Sequence, residues 1–399
     1  MNLSYFFNRL RDVKVRDMLH LFPFLLAEVL RPMGRRRYAD LWLVCEEPME
    51  AHDNGYHFFR YLRQTHPEIR CRYAIRRSSP EFRRVADLGD VVEYGSLRHW
   101  LMFLCCRYNI SSAKGGKPNA AFCAFLELQG LVQVKNIFLQ HGITINDVKW
   151  LYSNVSRIDY FVTSTTDEAA FIRRQFGYPE GTVRLTGMPR MDALHEVDVH
   201  PRQLLVMPTW RYWFRLPSKR HSDADGDVEH SEYLERWRSL LQHPQLRALA
   251  EREQLEVLFY PHHNMQPYIH YFSDLPSYVK VASWRDYDIQ DLLKTSALMV
   301  TDYSSVFFDM VYMKKPVVFY QFDEEKYRQY QYGQGYFDYH NNPFGKTFDA
   351  EDDVVQEIAR MVQERCAVDE AYLAEHRRLF PFYDTHNSER IFNDLKAGV

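Results

Sequence analysis

Three short stretches carry residues that could do chemistry together. In "LQHGIT" (139–144), His141 stands between an apolar run and a glycine. In "FYPHHN" (259–264), two imidazoles, His262 and His263, follow another apolar run. In "VTDYSSVFFDM" (300–310), an apolar run ends in Asp302, and hydroxyls follow at Ser304 and Ser305 before a second apolar segment. A neutral histidine can take a proton from a hydroxyl, while hydroxyls and backbone N–H groups at a strand-to-helix turn can hold a phosphate. Such a set serves attack of a hydroxyl on an activated phosphoryl group, with a base on one wall and charge stabilisers on the other. "MPTWR" (207–211) adds Thr209, and an arginine beside an aromatic, Arg211, suited to holding a phosphate or stacking on a base. Each stretch alone has an ordinary alternative, because serines commonly cap helices and histidines often sit in loops.

These residues need rigid elements behind them, and the hydrophobic pattern supplies candidates. "ADLWLVCEE" (39–47) reads as a buried strand and 55–66 as an amphipathic helix, a first βα unit. Apolar runs at 71–75, 91–95, 108–113 and 134–142 alternate with segments long enough for helices, notably 97–107 and 149–153. Next come a strand and capped helix within 159–177, with Gly177 as the stop, and then "VRLTGMPRMD" (183–192). A second series starts at "QLLVMPTWR" (203–211), continues through 255–264, 278–284, 296–313 and 315–323, and ends in a helical region at 350–377 and a tail at 382–395. Such alternation implies parallel sheets with helices on both faces. The expected fold is α/β, with two Rossmann-like doubly wound domains facing a cleft. Its boundaries are 1–37 for an N-terminal helical extension, 38–195 for the first domain and 196–399 for the second.

Composition narrows the function classes. Apolar residues make up 46% of the 399 and the net charge is −3, which excludes a disordered chain and a polybasic nucleic-acid binder. The six cysteines form no CxxC and no paired spacing, so neither a disulfide framework nor a structural zinc is expected, and a reducing cytoplasm fits. "GQG" (333–335) lacks a third glycine and "AKGGKPN" (113–119) lacks the ends of a phosphate-binding P-loop, which argues against NAD-dependent and ATP-hydrolysing chemistry. No GxSxG elbow is present. Aspartates 223, 225 and 227 suggest a calcium loop, but the glycine is misplaced and Leu234 stands where a bidentate Glu is required.

No apolar run reaches 18 residues and no secretory signal opens the chain, so neither export nor a membrane span is expected. The first 37 residues nevertheless hold eight Arg or Lys against three acids, around "LHLFPFLLAEVL" (19–30). This fits either a helix lying on an anionic bilayer or one packed on the next domain.

The motifs together resemble the CDP-glycerol glycerophosphotransferase family, the teichoic-acid-type polymerases and primases. The likeness runs from about residue 40 to 392 through "WLVCEEPMEAHDNGYHFFRYL", "QHG", "TGMPRMD", "PTWR", "PHHN", "TDYSSVFFDM", "KKPVVFY" and "NSER". It implies a GT-B arrangement, with an N-terminal acceptor domain and a C-terminal donor domain. It also implies transfer of glycerol phosphate, or another polyol phosphate, from CDP-glycerol or CDP-ribitol to a growing teichoic-acid-like or capsule polymer, with release of CMP. By resemblance His141 is the general base and His262 neutralises the diphosphate. Thr209, Arg211, Asp302, Ser304 and Ser305 line the donor pocket, and Asp309 is either a donor contact or a structural acid of the helix. No metal or cofactor is implied. The acceptor would be a polyol phosphate or glycan, lipid-linked in some members, and the enzyme would be peripheral on the inner face of the cytoplasmic membrane. Gln140 and Ile143-Thr144 replace the family's usual Trp before the His-Gly and Thr-Pro after it, and His263 and Tyr260 replace a Pro and a Lys around the second histidine. The competing readings are a GT-B glycosyltransferase using a sugar nucleotide and an inactive nucleotide-binding subunit.

Overall fold

A computed structural model of the chain describes residues 15–196, 198–214 and 228–398. The aspartates 223, 225 and 227 and the cations Arg9, Arg11 and Lys14 lie outside the described residues. The chain divides into two compact units. The first comprises the described residues through Ile143, Lys149–Ala193 and those from Asp384 on; the second comprises Thr144–Val148 and the described part of Leu194–Tyr383.

The first unit is built on a seven-stranded sheet of β1 (Trp42–Cys45), β2 (Cys71–Ile75), β3 (Val91–Glu93), β4 (Tyr108–Ser111), β5 (Asn136–Phe138), β6 (Tyr160–Thr163) and β7 (Val183–Leu185). Its order is β3-β2-β1-β4-β5-β6-β7 and its pairings are parallel. β1, β4, β5 and β6 are buried along their whole length; β1 (WLVC) shows in the sequence as an unbroken apolar run, whereas β4 (YNIS), β5 (NIF) and β6 (YFVT) bury polar residues as well. The second unit carries β8 (His200–Val206), β9 (Glu256–Phe259), β10 (Val279–Val281), β11 (Ser296–Thr301), β12 (Val317–Tyr320) and β13 (Thr347–Phe348) in the order β10-β9-β8-β11-β12-β13. Trp237, Leu241, Val206, Phe259 and Val300 belong to its core.

Both orders reverse beside the first strand of the sheet, between β1 and β4 and between β8 and β11. Loops leaving the carboxyl ends of parallel strands diverge at such a reversal and leave a crevice for a ligand. The candidate residues of each unit follow the carboxyl ends of its strands.

Two boundaries differ from the sequence expectation. Thr144–Val148, read within the first domain, cluster with the second unit, and residues 384–398, read as the end of the second domain, cluster with the first unit. The reason for the latter is a set of specific anchors. The N–H groups of Asn387 and Ser388 donate to the Asp192 carboxylate at 2.8 and 2.9 Å, and the Tyr108 hydroxyl donates to the Leu395 carbonyl at 2.8 Å.

The N-terminal extension forms the helix Leu21–Tyr38, which packs one face on the first unit. Phe24, Ala27, Gly34 and Tyr38 are buried, and Phe24 meets Trp100 edge-on at 5.5 Å. A Cβ on Gly34 would stand 2.6 Å from the Leu101 side chain and 2.8 Å from Cys105 Sγ, so any larger residue there would make helix Leu97–Cys105 shift its side chains. On the other side Phe22 (74% exposed), Leu25 (53%), Val29 (74%) and Met33 (65%) face outward at helical spacing.

Candidate active site

In the first unit, β5 stops at Phe138, and the chain turns sharply at Gln140, which takes a left-handed backbone with φ 64°. A side chain other than glycine disfavours that conformation, so its neighbours must hold it. They do: the Gln140 amide donates to the Val162 carbonyl (2.6 Å) and the Glu168 carboxylate (2.8 Å), and its own carbonyl accepts from the Asn54 side chain (2.8 Å). Gln140 is buried, and its hydrogen bonds brace the residue that follows.

That next residue is His141. Its side chain is 76% exposed, and Nδ1 lies 2.6 Å from Asp53 Oδ2. The Asp53 carboxylate raises the imidazole above its ordinary value. Burial opposes the charged form of Asp53, but His141 and Arg190 hold its carboxyl well below the usual range. Ionised, Asp53 only accepts, so the proton of a neutral His141 belongs on Nδ1 and Nε2 keeps its lone pair. Arg190 Nη1 donates both to Asp53 Oδ1 (2.9 Å) and to the His141 carbonyl (2.6 Å). Behind them the buried Glu46 accepts from the N–H groups of His52 (3.0 Å), Asp53 (3.1 Å) and Tyr56 (2.7 Å), which fixes the loop after β1. Burial and the neighbouring Asp53 push its carboxyl up to about 7.

Neither Asp53 nor Arg190 is marked as a site residue by its place in the sequence. Asp53 occupies the N-cap position of helix Asn54–Thr65, where an aspartate needs no further explanation, yet its side chain makes no capping bond. The available signal is that both lie within stretches that carry the family resemblance, "EAHDNGYHFF" and "TGMPRMD".

The second unit brings Thr209, Arg211 and Asp302 into contact. Arg211 is fully buried. It donates to Asp323 through Nε (2.7 Å) and Nη2 (2.9 Å), and through Nη1 to Asp302 Oδ2 (2.7 Å) and the Thr209 carbonyl (2.7 Å). Tyr233, Tyr303 and Tyr327 surround it with ring centroids 5.0–5.5 Å from the guanidinium carbon. The expectation that Arg211 holds a phosphate or stacks on a base therefore gives way to an internal strut. Asp302 is equally buried, and its Oδ1 accepts from the N–H groups of Thr209 (2.8 Å) and Tyr303 (2.7 Å). Thr209 is 9% exposed, and its hydroxyl finds no hydrogen-bond partner among the described residues, a position that calls for one.

Ser304 and Ser305 are half-buried, and the following helix, Phe307–Tyr312, has only six residues. So short a helix adds little dipole, which leaves the two hydroxyls as the main polar feature of the turn. Asp309 is buried within that helix. His262 follows β9 and is half-buried, with its ring 6.2 Å from Trp210; His263 is exposed, 5.5 Å from the ring of Trp284. His262 Nδ1 accepts the Asn264 N–H at 3.1 Å. An amide N–H only donates, so a neutral His262 carries its proton on Nε2. The two histidines thus have opposite tautomers. Among the described residues no three His, Cys, Asp or Glu side chains are grouped to hold a metal ion.

Comparison with known proteins agrees in sequence and in fold. The chain is 29% identical over 361 residues to the minor teichoic acid biosynthesis protein GgaB of Bacillus subtilis (strain 168), covering 89% of this chain and 39% of that protein. It is 24% identical over 196 residues to the teichoic acid glycerol-phosphate primase of the same organism, covering 47% of this chain and 45% of the primase. The chain spans less than half the length of these relatives. Its fold is similar to that of the wall teichoic acid polymerase TagF, with a TM-score of 0.68 at 15% identity over 99% of this chain and 98% of that one. It is also similar to UDP-GlcNAc 2-epimerase of Methanocaldococcus jannaschii, with a TM-score of 0.53 at 12% identity over 90% and 99%. Residues 35–396 match one family throughout, and the chain belongs to it: the CDP-glycerol:poly(glycerophosphate) glycerophosphotransferases.

Proposed function

We propose that the chain transfers glycerol phosphate, or another polyol phosphate, from a CDP-polyol to a hydroxyl of a growing teichoic-acid-like or capsule polymer. His141 Nε2 takes the proton of the attacking hydroxyl as its oxygen bonds to the phosphorus of the polyol phosphate. The phosphoanhydride bond then breaks, and CMP leaves with the electron pair. His262 Nε2–H and the hydroxyls of Thr209, Ser304 and Ser305 stabilise the charge on the diphosphate, while Asp302 and Arg211 hold the Thr209 loop. The single observation that carries this reading is the opposite wiring of the two imidazoles, one as an acceptor of protons and one as a donor. Phosphoryl transfer asks for that division, because it depends on positioning and charge stabilisation.

The test is CMP release with a polymer acceptor, comparing CDP-glycerol, CDP-ribitol and a sugar nucleotide. Turnover of one CDP-polyol is the expected result. Turnover of the sugar nucleotide alone would replace this reading with glycosyl transfer.

Among the described residues no helix is long and apolar enough to cross a membrane. A lipid-linked acceptor at the inner face of the membrane is reached instead by lying on it, and the outward stripe of helix Leu21–Tyr38 ends in exposed Arg35, Arg36 and Arg37. Replacing both Phe22 and Val29 by glutamate should weaken binding to anionic vesicles by about 2 kcal/mol, roughly 30-fold. The measurement is co-sedimentation of the full chain. Equal pelleting of variant and wild type would remove this helix from membrane binding.

A further inference from the structure

We propose that Asp53 and Arg190 are positioning residues, a carboxylate and a cation that together fix the tautomer and the aim of His141. The inference rests on His141 being the base, and it assigns work to two buried side chains.

Asp53 is buried and bridges two partners, His141 Nδ1 through Oδ2 (2.6 Å) and Arg190 Nη1 through Oδ1 (2.9 Å). Arg190 Nη1 also reaches the backbone carbonyl of His141 itself (2.6 Å). One nitrogen therefore ties the carboxylate to the main chain of the residue it must orient, so the distance between Asp53 and the imidazole is set twice. The Arg190 N–H donates to Asn54 Oδ1 (3.0 Å), and the Asn54 amide donates to the Gln140 carbonyl (2.8 Å), which closes the frame around the strained turn. An exposed imidazole without such a frame rotates freely and prefers its proton on Nε2, the nitrogen that must stay bare to act as a base.

The frame makes Asp53→Asn an informative change. Arg190 requires an acceptor where Oδ1 now sits, so the asparagine carbonyl oxygen turns to Arg190 and its amide nitrogen turns to His141. Facing a donor, His141 Nδ1 must accept, and the proton moves to Nε2. CMP release should fall about 100-fold while donor binding is kept. The charged groups felt by His141 are Asp53, Arg190, Glu47 and Glu50. Of the acids, only Asp53 is in contact, and its loss lowers the histidine's proton affinity. The acid limb of the remaining rate should accordingly move to lower pH.

The tautomer is read independently of turnover from nitrogen-15 NMR of histidine-labelled protein, with the His141 signals identified by their loss in His141→Gln. Wild type above the histidine's titration should show the proton on Nδ1, and Asp53→Asn should show it on Nε2; Asp53→Glu should restore the first pattern and part of the rate. An unchanged tautomer and pH profile in Asp53→Asn would overturn the proposal. Should that variant fold poorly by thermal melting, Arg190→Lys carries the same test, with the cation kept, the shared N–H displaced, and a rate loss of about tenfold expected. A wild type that releases no CMP from either CDP-polyol would sink the functional reading, while the NMR pattern would still decide the role of Asp53.

Discussion

A His141→Ala chain is expected to release CMP from its CDP-polyol about 1,000-fold to 10,000-fold more slowly than wild type, near the upper end of what a positioned base contributes. Donor affinity should stay within about threefold, because the residues proposed to hold the donor belong to the second unit and are untouched by the change. His262→Ala should behave in the opposite sense and weaken the donor. A drop below tenfold for His141→Ala would remove the histidine from the base role. The pH profile adds a sign that can be checked. A base works only when unprotonated, and Asp53 raises the His141 imidazole above the ordinary value of about 6.5, so the acid limb of the rate should lie above that pH. Stability asks for the reverse. The raised His141 contributes fully below about 6.5 and its contribution is lost as pH rises through its folded value, while the depressed Asp53 contributes above about 3.9 and is lost as pH falls. The ion pair is therefore complete between those values, whereas catalysis needs the alkaline side of the window.

How far such a site can be read without coordinates depends on whether its parts are local. β2 (Cys71–Ile75) and β9 (Glu256–Phe259) were legible because a buried parallel strand needs an apolar run and little else. The run at 134–142 suggested a longer strand than β5 (Asn136–Phe138), since the left-handed turn at Gln140 is held by Val162, Glu168 and Asn54, partners distant in the chain. The helix expected at 149–153 is one 3-10 turn, Lys149–Leu151, and the edge strand β13 is two residues, too short to leave a pattern. His141 could be found from its place at a strand end, but Asp53 stands 88 residues away and passes for an ordinary cap. The place of His141 at a strand end was legible. Its carboxylate partner was not, because pairing across strands is a property of the fold.

Arg211 shows the same principle with its sign reversed, and its removal should have the largest effect on stability. Arg211→Met is expected to cost about 3–5 kcal/mol, because the change strands two buried carboxylates, Asp302 and Asp323, without their cation. At roughly 2–4 °C per kcal/mol for a unit of this size, the melting temperature should fall by about 10 °C. The methionine would fill much of the space among Tyr233, Tyr303 and Tyr327, so the loss is electrostatic more than volumetric. Arg211→Lys should recover part of it, since a single ammonium can meet one carboxylate but cannot reach Asp302 and Asp323 in the forked geometry of the guanidinium. Calorimetry of the full chain decides between the two roles considered for this residue. A melting temperature within about 2 °C of wild type, together with lost donor binding, would return Arg211 to the phosphate it was first expected to hold, and would contradict a strut. A large fall in melting temperature, with the donor affinity of the folded fraction little changed, would mean that Arg211 acts by fixing the Thr209 and Asp302 loops on which the donor rests.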